Sequence, residues 1–337
     1  MSPSTSQPER AVDVLSDDDP AGAFLAAHAR GDRVLLRTSG TSGVPRSVVR
    51  TTASWLDSFP AVESLTGFGA RSRAWIPAPL TGTMNLFAAV HARHVGAEVV
   101  DDPRRATHWF VTPTALRDAL DEGGRFDGVH AVVAGDRLAV AAHDRAVAAG
   151  ISVSHYYGAA ELSFVAWGPH EAALRAFPGV QLQVRDGVVW ARSAYLSDGY
   201  VEGDGPFRRD SDGWASVGDH GALVDGLLTV TGRDDVVVTG GATVRVADVE
   251  GLLGPRASGG LAVVGVPHPR LGEVVAIVLE HADDADALRP VARAGLDRTQ
   301  QPRRWFALEP LPRTEHGKLD RAALAEAVRS GAARVLL

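Results

Sequence analysis

The stretch between Ala97 and Tyr157 alternates short apolar runs with amphipathic runs, and this alternation constrains the fold more than any other feature. The apolar runs have the length of strands, and the amphipathic runs have the length of helices. In order they read AEVV, HWFV, TALRDALDE, VHAVVA, LAVAAHDRAVAAG and ISVSHYY. Such alternation predicts a parallel sheet with right-handed crossover helices, and therefore an α/β fold.

Ligands of parallel sheets bind beyond the carboxyl ends of the strands. Two segments follow predicted strands at that edge, AGDRL at residues 134–138 and YYGAAE at residues 156–161. We therefore expect these two segments to converge on one cleft.

After Val180 the pattern changes to short strands joined by turn dipeptides. Asp-Gly pairs at residues 186–187 and 225–226 separate apolar strands, which is a strong hairpin signal. A charged pair at residues 234–235 precedes a helical pattern, two long apolar strands and two helical stretches near the end. These features predict a small β subdomain followed by a separate α+β domain.

The chain therefore divides into three predicted parts. We expect a polar lead with one short helix at residues 1–30, a large domain at residues 31–232 and a small domain at residues 233–337. The first 20 or so residues are polar and acidic, so we expect them to be loosely ordered.

Composition excludes several classes of protein. With 337 residues, 45% of them hydrophobic, the chain buries a substantial core. Its net charge of -7 is dispersed, without the basic block that nucleic acid or an anionic membrane would require. The chain has no cysteine, no signal-like start and no apolar run near the roughly 18 residues that a membrane span needs. These observations predict a cytoplasmic protein without disulfides.

The first candidate site is the loop TSGTSGVPR at residues 38–46. Its glycines allow close approach of the backbone to a ligand, and its hydroxyls and its arginine suit a polyphosphate. It lacks the glycine-lysine-serine/threonine ending of a Walker loop. Taken alone, such a run is also typical of a solvated turn.

Read with four later segments, this loop resembles the phosphate loop of the superfamily of AMP-forming acyl-CoA synthetases, adenylation domains and luciferases. The superfamily patterns are T-S-G-T-T-G-x-P-K-G, Y-G-x-T-E, T-G-D, G-R-x-D-D with a downstream glycine pair, and P-x-T-x-x-G-K-x-x-R. This chain has, in the same order, TSGTSGVPRS, YGAAE at 157–161, VGD at 217–219, GRDD at 232–235 with a glycine pair at 240–241, and PRTEHGKLDR at 312–321. The resemblance extends from about residue 34 to residue 321.

The resemblance implies a role for each matched residue. Lys318, Glu161 and Arg46 would be catalytic, with Lys318 stabilising the charge that gathers when an acid attacks the α-phosphate. Glu161 and Thr41 would hold Mg²⁺, which prefers oxygen ligands. Asp219 would accept hydrogen bonds from the ribose hydroxyls. The nucleotide-binding set would comprise Thr38, Ser39, Gly40, Thr41, Ser42, Gly43, Gly135, Tyr157, Gly158, Asp219 and Arg233.

The superfamily works by rotating its small C-terminal domain between two half-reactions. The resemblance makes Asp234 the candidate hinge, and it places the glycine pair Gly240 and Gly241 along a channel for the pantetheine arm of CoA. Residues 233–337 would then be a mobile lid that carries Lys318.

Several positions depart from the superfamily pattern. Arg46-Ser47 replaces Lys-Gly, Ala160 replaces threonine, and one residue is missing between Arg233 and Asp234. Fewer than forty residues precede the phosphate loop, so the resemblance is to a short form with a truncated N-terminal domain, like actinobacterial o-succinylbenzoate-CoA ligases and fatty acyl-CoA ligases. The acyl-pocket segment PAPLTG lacks the family's histidine, which leaves fatty, aryl and dicarboxylic acids open.

The leading hypothesis is an enzyme that uses ATP and Mg²⁺ to turn a small carboxylic acid into an acyl-adenylate and then transfers the acyl group to CoA. Two alternatives stay open: a stand-alone enzyme that loads a phosphopantetheinyl carrier protein, and a catalytically silent nucleotide-binding protein. His91 and His94 are spaced for a shared metal on a helix, but no third ligand is suggested. No G-x-S-x-G motif supports a hydrolase.

Overall fold

The computed structural model describes residues 11–38, 46–201, 205–232, 236–314, 317 and 319–336. Helices are numbered in chain order: α1 Pro20–Arg30, α2 Ala53–Leu56, α3 Phe59–Thr66, α4 Thr83–Val95, α5 Pro113–Asp121, α6 Val140–Ala148, α7 Val246–Leu253, α8 Asp284–Gly295 and α9 Arg321–Ser330. No helix in these ranges is both long and apolar enough to cross a bilayer.

Strands are numbered in the same way: β1 Ala11–Asp13, β2 Arg33–Thr38, β3 Arg46–Thr51, β4 Arg73–Trp75, β5 Glu98–Val100, β6 His108–Val111, β7 His130–Val133, β8 Ser152–Ala159, β9 Ser163–Gly168, β10 Arg175–Ala176, β11 Gln181–Arg185, β12 Val188–Arg192, β13 Gly199–Tyr200, β14 Arg208–Arg209, β15 Ala215–Ser216, β16 His220–Val224, β17 Leu227–Gly232, β18 Val236–Thr239, β19 Ala242–Arg245, β20 Leu261–His268, β21 Gly272–Leu279, β22 Arg304–Ala307 and β23 Arg334–Leu336.

The largest sheet has the strand order β10-β9-β8-β7-β6-β4-β5. From β5 through β8 the neighbouring strands pair in parallel, which confirms the prediction from the alternating pattern. Alternate residues of β6 and β7 enter different cores, because successive side chains of a strand point to opposite faces. Trp109 and Ala131 pack with α5 and α6, whereas Phe110 and Val132 pack against α4.

A second sheet, of order β1-β2-β3-β13, contains the two strands that flank the predicted phosphate loop in the sequence. β2 and β3 are antiparallel, with Thr38 paired to Arg46 at the last register position before the loop. β1 pairs in parallel with β2, so the expectation of a loosely ordered start is wrong for residues 11–20. The reason is that Val14, just after β1, is fully buried beside Phe24 of α1, and this apolar contact orders the segment.

A third sheet, β14-β15-β12-β16-β17 with β11 paired to β12, contains the two predicted hairpins. Asp186 and Gly187 have φ angles of 50° and 76°, and Asp225 and Gly226 have φ angles of 52° and 75°. Two successive positive φ angles are the signature of a tight hairpin turn that Asp-Gly accommodates. Both hairpin predictions are therefore confirmed.

The described chain separates into two compact units. One contains residues 11–217 and 222–230, together with residue 317, and the other contains residues 218–221, 231–314 and 319–336. The second unit is built on a sheet of order β19-β18-β21-β22-β23, with β20 paired to β21. α7 and α8 cover one face of this sheet through Val249, Leu253 and Leu288.

Buried histidines give the first unit an acid-sensitive core. His91 is fully buried, stacked on Phe59 with ring centroids 4.1 Å apart and with Nε2 3.2 Å from Glu63 Oε1. No set of three or more metal-ligating side chains lies close enough to hold a metal ion in the part of the chain that the structure describes. His91 therefore belongs to an aromatic core.

Burial lowers the pKa of His91 and of His130 to about 4, from an ordinary value of 6.5. The unfolded chain then binds more protons than the native chain between about pH 6.5 and pH 4. The free energy of unfolding is therefore highest above pH 6.5 and decreases as the pH falls through this window. Each histidine contributes a slope of up to about 1.4 kcal/mol per pH unit. Urea unfolding at pH 7.5, 6 and 5 measures this loss. A His130→Gln variant should show a shallower dependence, and an unchanged one would contradict the assignment.

Candidate active site

The carboxyl edge of the parallel sheet carries two of the predicted site segments. Gly135 follows β7 with a φ of 91°, and Glu161 lies in the turn between β8 and β9. Glu161 is only 4% exposed. Glu161 is therefore not a solvent-exposed surface carboxylate; it is buried at the edge of the sheet where ligands of such sheets bind.

The turn that carries Glu161 is unusually tight. Ser163 has a φ of 59°, which closes the β8–β9 hairpin so that its carbonyl oxygen lies against Gly158. A Cβ atom on residue 158 would lie 2.2 Å from that oxygen. The glycine of the YGAAE segment is thus required by packing, whatever it does toward a nucleotide.

A Gly158→Ala substitution should destabilise the first unit by about 1–3 kcal/mol, because neither backbone can move without opening the hairpin. Gly69→Ala is a matched control, since a Cβ there meets nothing within 4 Å. The free energies of unfolding of the two variants measure the difference, and equal values would show that the hairpin tolerates the methyl group.

The segment from Tyr195 to Val201 joins Glu161 to β3. The backbone N–H of Ser197 donates to the carbonyl of Glu161 at 2.8 Å, and the N–H of Val201 donates to the carbonyl of Ser47 at 3.0 Å. Within this segment, the Tyr200 hydroxyl donates to Glu161 Oε1 at 2.6 Å. Backbone pairing between β13 and β3 therefore brings a phenol to the buried carboxylate.

Arg46, at the start of β3, contacts the ring of the same residue, Tyr200. Its guanidinium carbon is 5.9 Å from the centroid of the Tyr200 ring, within the range of a cation–π contact. Two of the predicted catalytic residues, Arg46 and Glu161, thus contact one aromatic side chain that the sequence motifs did not single out.

Arg50 is a fully buried cation behind this site. Its guanidinium donates to the carbonyls of Ala160 and Tyr195 at 3.1 and 2.5 Å and to Ser54 Oγ at 2.9 Å. Burial lowers the pKa of Arg50 to about 9, while the charges of Glu161 and Asp198 oppose that shift. The side chain remains charged at neutral pH, so it fixes the Glu161 turn and partly balances its charge.

Known proteins resemble this chain over most of its length, although no family model matches it. YhfT of Bacillus subtilis, an uncharacterised acyl-CoA ligase, is 28% identical over 93% of this chain and 70% of its own length. A probable 2-succinylbenzoate-CoA ligase of Mycobacterium tuberculosis is 31% identical over 92% of this chain and 92% of that protein. This chain belongs to the AMP-forming acyl-CoA ligase superfamily. The resemblance drawn from the five motifs is therefore confirmed.

The fold agrees with that of a solved member of the superfamily. A variant of Escherichia coli MenE with bound OSB-AMS matches with a TM-score of 0.76 and 25% identity, over 88% of this chain and 69% of the MenE chain. The mixed α/β architecture predicted from the sequence is that of these acid–thiol ligases.

The other residues predicted for the nucleotide site and the hinge lie in different parts of the chain. Thr38 ends β2, and Tyr157 lies on β8 beside a register shift in its pairing with β9. Asp219 lies between β15 and β16 and is grouped with the second unit. Outside the described residues lie Ser39, Gly40, Thr41, Ser42, Gly43, Arg233, Asp234 and Lys318.

The glycine pair of the second unit forms the turn between β18 and β19. Gly240 and Gly241 have φ angles of 57° and 85°, the geometry of a two-residue hairpin turn. The N–H of Gly240 donates to the carbonyl of Leu271 at 2.9 Å. Hairpin geometry alone therefore accounts for both glycines, and a role along a CoA channel stays a prediction.

The second unit also contains a basic cleft of about 430 Å³ between α8, the segment that precedes β22, and β23. Arg289 contacts Asp286 at 3.4 Å and lies over the ring of Trp305 at 5.7 Å. For the other three arginines, the described part of the chain supplies no carboxylate partner. The guanidinium groups that line the cleft belong to Arg289, Arg293, Arg303 and Arg304.

Proposed function

We propose that this chain joins a carboxylic acid to CoA in two steps at the expense of ATP. A carboxylate oxygen of the acid attacks the α-phosphorus, the bond to the bridging oxygen breaks, and pyrophosphate leaves. The thiol of CoA then attacks the acyl carbon, losing its proton, and AMP leaves with the original carboxylate oxygen. The observation that carries this proposal is family membership together with the contacts of Tyr200 with the buried Glu161 and with Arg46.

The site residues suit MgATP. A magnesium ion is held in ATP-dependent enzymes by one or two carboxylates together with substrate phosphates. Glu161 supplies one buried carboxylate with lone pairs beyond the one that Tyr200 occupies, and Thr41 would add a hydroxyl. Arg46, at the end of the hydroxyl-rich loop, supplies the cation for the phosphates. When bound, the metal would neutralise charge on the triphosphate.

Composition supports a catalytic role for Lys318. The chain has 33 arginines and a single lysine, and that lysine stands in the motif PRTEHGKLDR. An ammonium is a compact point charge, unlike the planar fork of arginine. We propose that Lys318 stabilises the charge that develops on the carboxylate and α-phosphate, with residues 233–337 acting as the mobile lid around a hinge at Asp234.

The basic cleft of the second unit is a candidate contact for CoA. CoA carries three phosphate groups, and arginine clusters recognise phosphate through bidentate hydrogen bonds. The guanidinium groups of Arg293, Arg303 and Arg304 are exposed and unpaired among the residues that the structure describes. This cleft favours free CoA over a carrier protein as the acceptor.

Pyrophosphate release over a panel of acids tests the proposal. The panel should contain 2-succinylbenzoate, because the mycobacterial relative is named for it, together with aryl, fatty and dicarboxylic acids. We expect acid-dependent pyrophosphate release with ATP and Mg²⁺, and formation of an acyl-CoA when CoA is added. An acyl-adenylate that accumulates with CoA but is discharged by a phosphopantetheinylated carrier would favour the carrier alternative. Binding of ATP without turnover of any acid would favour the silent alternative.

A further inference from the structure

Tyr200 holds the carboxylate of Glu161 by a short hydrogen bond, with the phenol oxygen 2.6 Å from Oε1. Glu161 is 4% exposed, so the tyrosine replaces a water that an exposed carboxylate would have. A hydrogen bond from O–H to a carboxylate is among the stronger ones in proteins. It fixes the terminal torsion angle of the glutamate side chain, which otherwise has a broad distribution.

The backbone, and not only the side chain, fixes the position of the phenol. Tyr200 pairs with Val48 on β3, and the flanking Ser197 and Val201 donate to the carbonyls of Glu161 and Ser47. The residue is therefore tied both to the turn that carries Glu161 and to the strand that carries Arg46.

The ring has a second contact, with the arginine that ends the predicted phosphate loop in the sequence. The guanidinium carbon of Arg46 lies 5.9 Å from the ring centroid. Tyr200 therefore spans the distance between the cation proposed for the phosphates and the carboxylate proposed for the metal. A change in the tilt of this ring would shift both.

We infer that Tyr200 is a positioning residue, which orients the Glu161 carboxylate toward the divalent cation that accompanies ATP. The inference rests on the proposed function, because it presumes that MgATP is the ligand. A group that hydrogen-bonds to a metal-coordinating side chain raises metal affinity by about 10- to 100-fold, because it fixes the orientation of that side chain before the metal binds.

The test is Tyr200→Phe, which removes the hydroxyl and keeps the ring for Arg46. Tyr195→Phe is the matched control, since the hydroxyl of Tyr195 donates to the carbonyl of Pro178 and not to Glu161. The direct readout is the affinity for Mn²⁺ in the presence of ATP and in the absence of acid and CoA, measured by electron paramagnetic resonance. We expect about a tenfold weaker Mn²⁺ affinity in Tyr200→Phe and no change in Tyr195→Phe.

Kinetics supply a second readout that a merely structural role would not change. The Mg²⁺ concentration that half-saturates pyrophosphate release should rise about tenfold in Tyr200→Phe, while the rate at saturating Mg²⁺ stays close to that of the unaltered chain. Unchanged Mn²⁺ affinity, or an equal loss at every Mg²⁺ concentration, would overturn the role of Tyr200. If the unaltered chain binds Mn²⁺ with ATP but releases no pyrophosphate with any acid, the proposed function fails while the positioning role stands.

Discussion

A Lys318→Ala variant should lose acyl-adenylate formation by about 10²- to 10³-fold, because one positioned charge that acts on the transition state is worth that much. ATP binding should change little, since the ammonium is proposed to act on charge that develops during the reaction. Acid-dependent pyrophosphate release measures the loss, and near-normal release would remove Lys318 from its role.

Two controls separate this loss from misfolding. Lys318→Arg keeps the charge but changes its shape, and we expect it not to restore the rate. Acyl transfer to CoA from a chemically prepared acyl-adenylate should survive in Lys318→Ala. In that half-reaction the α-phosphate is not attacked, so the charge that Lys318 is proposed to stabilise does not develop. Since Lys318 is the only lysine, selective labelling of lysine Nζ also reports on this one site.

A Glu161→Gln variant should lower pyrophosphate release by about 100-fold or more, because a neutral amide cannot replace a carboxylate as a Mg²⁺ ligand. The amide oxygen can still accept the hydrogen bond from Tyr200, but the charge that partly balances the buried Arg50 is lost, so the free energy of unfolding should fall by about 1–3 kcal/mol. Steady-state pyrophosphate release and urea unfolding measure the two effects.

The matched control for this variant is Glu98→Gln, at a glutamate that is exposed and paired with Arg105 at 3.8 Å. It should leave both the rate and the stability unchanged. A Glu161→Gln variant that retained full activity would show that this carboxylate does not hold the metal.

The sequence predicted the framework of the fold because its periodicity was clear. Alternating strand and helix patterns gave the parallel sheet, and the Asp-Gly pairs gave both hairpins. The order of residues 11–20 was missed, because it depends on burial of Val14 against a helix that follows it. Composition cannot report such a tertiary contact.

Sequence motifs pointed to only part of the candidate site. They singled out Glu161 and Arg46, which both contact Tyr200 in the structure, but they singled out neither Arg50 nor Tyr200. A signal for Arg50 was nevertheless present: Val48 and Arg50 occupy the same face of β3, so an arginine stands at a core-facing position. Tyr200 gave no such signal, because a pairing between β3 and a strand 150 residues away brings it to Glu161.

The acid's own oxygen gives the most direct test of the central claim. If the acid is activated by adenylation, a substrate whose carboxylate is labelled with ¹⁸O must transfer one labelled oxygen to AMP when CoA displaces it. Mass spectrometry of the AMP formed in a single turnover should show one ¹⁸O atom per molecule. Acyl-CoA formation that leaves the label in inorganic phosphate, with ADP as the other product, would contradict an acyl-adenylate intermediate.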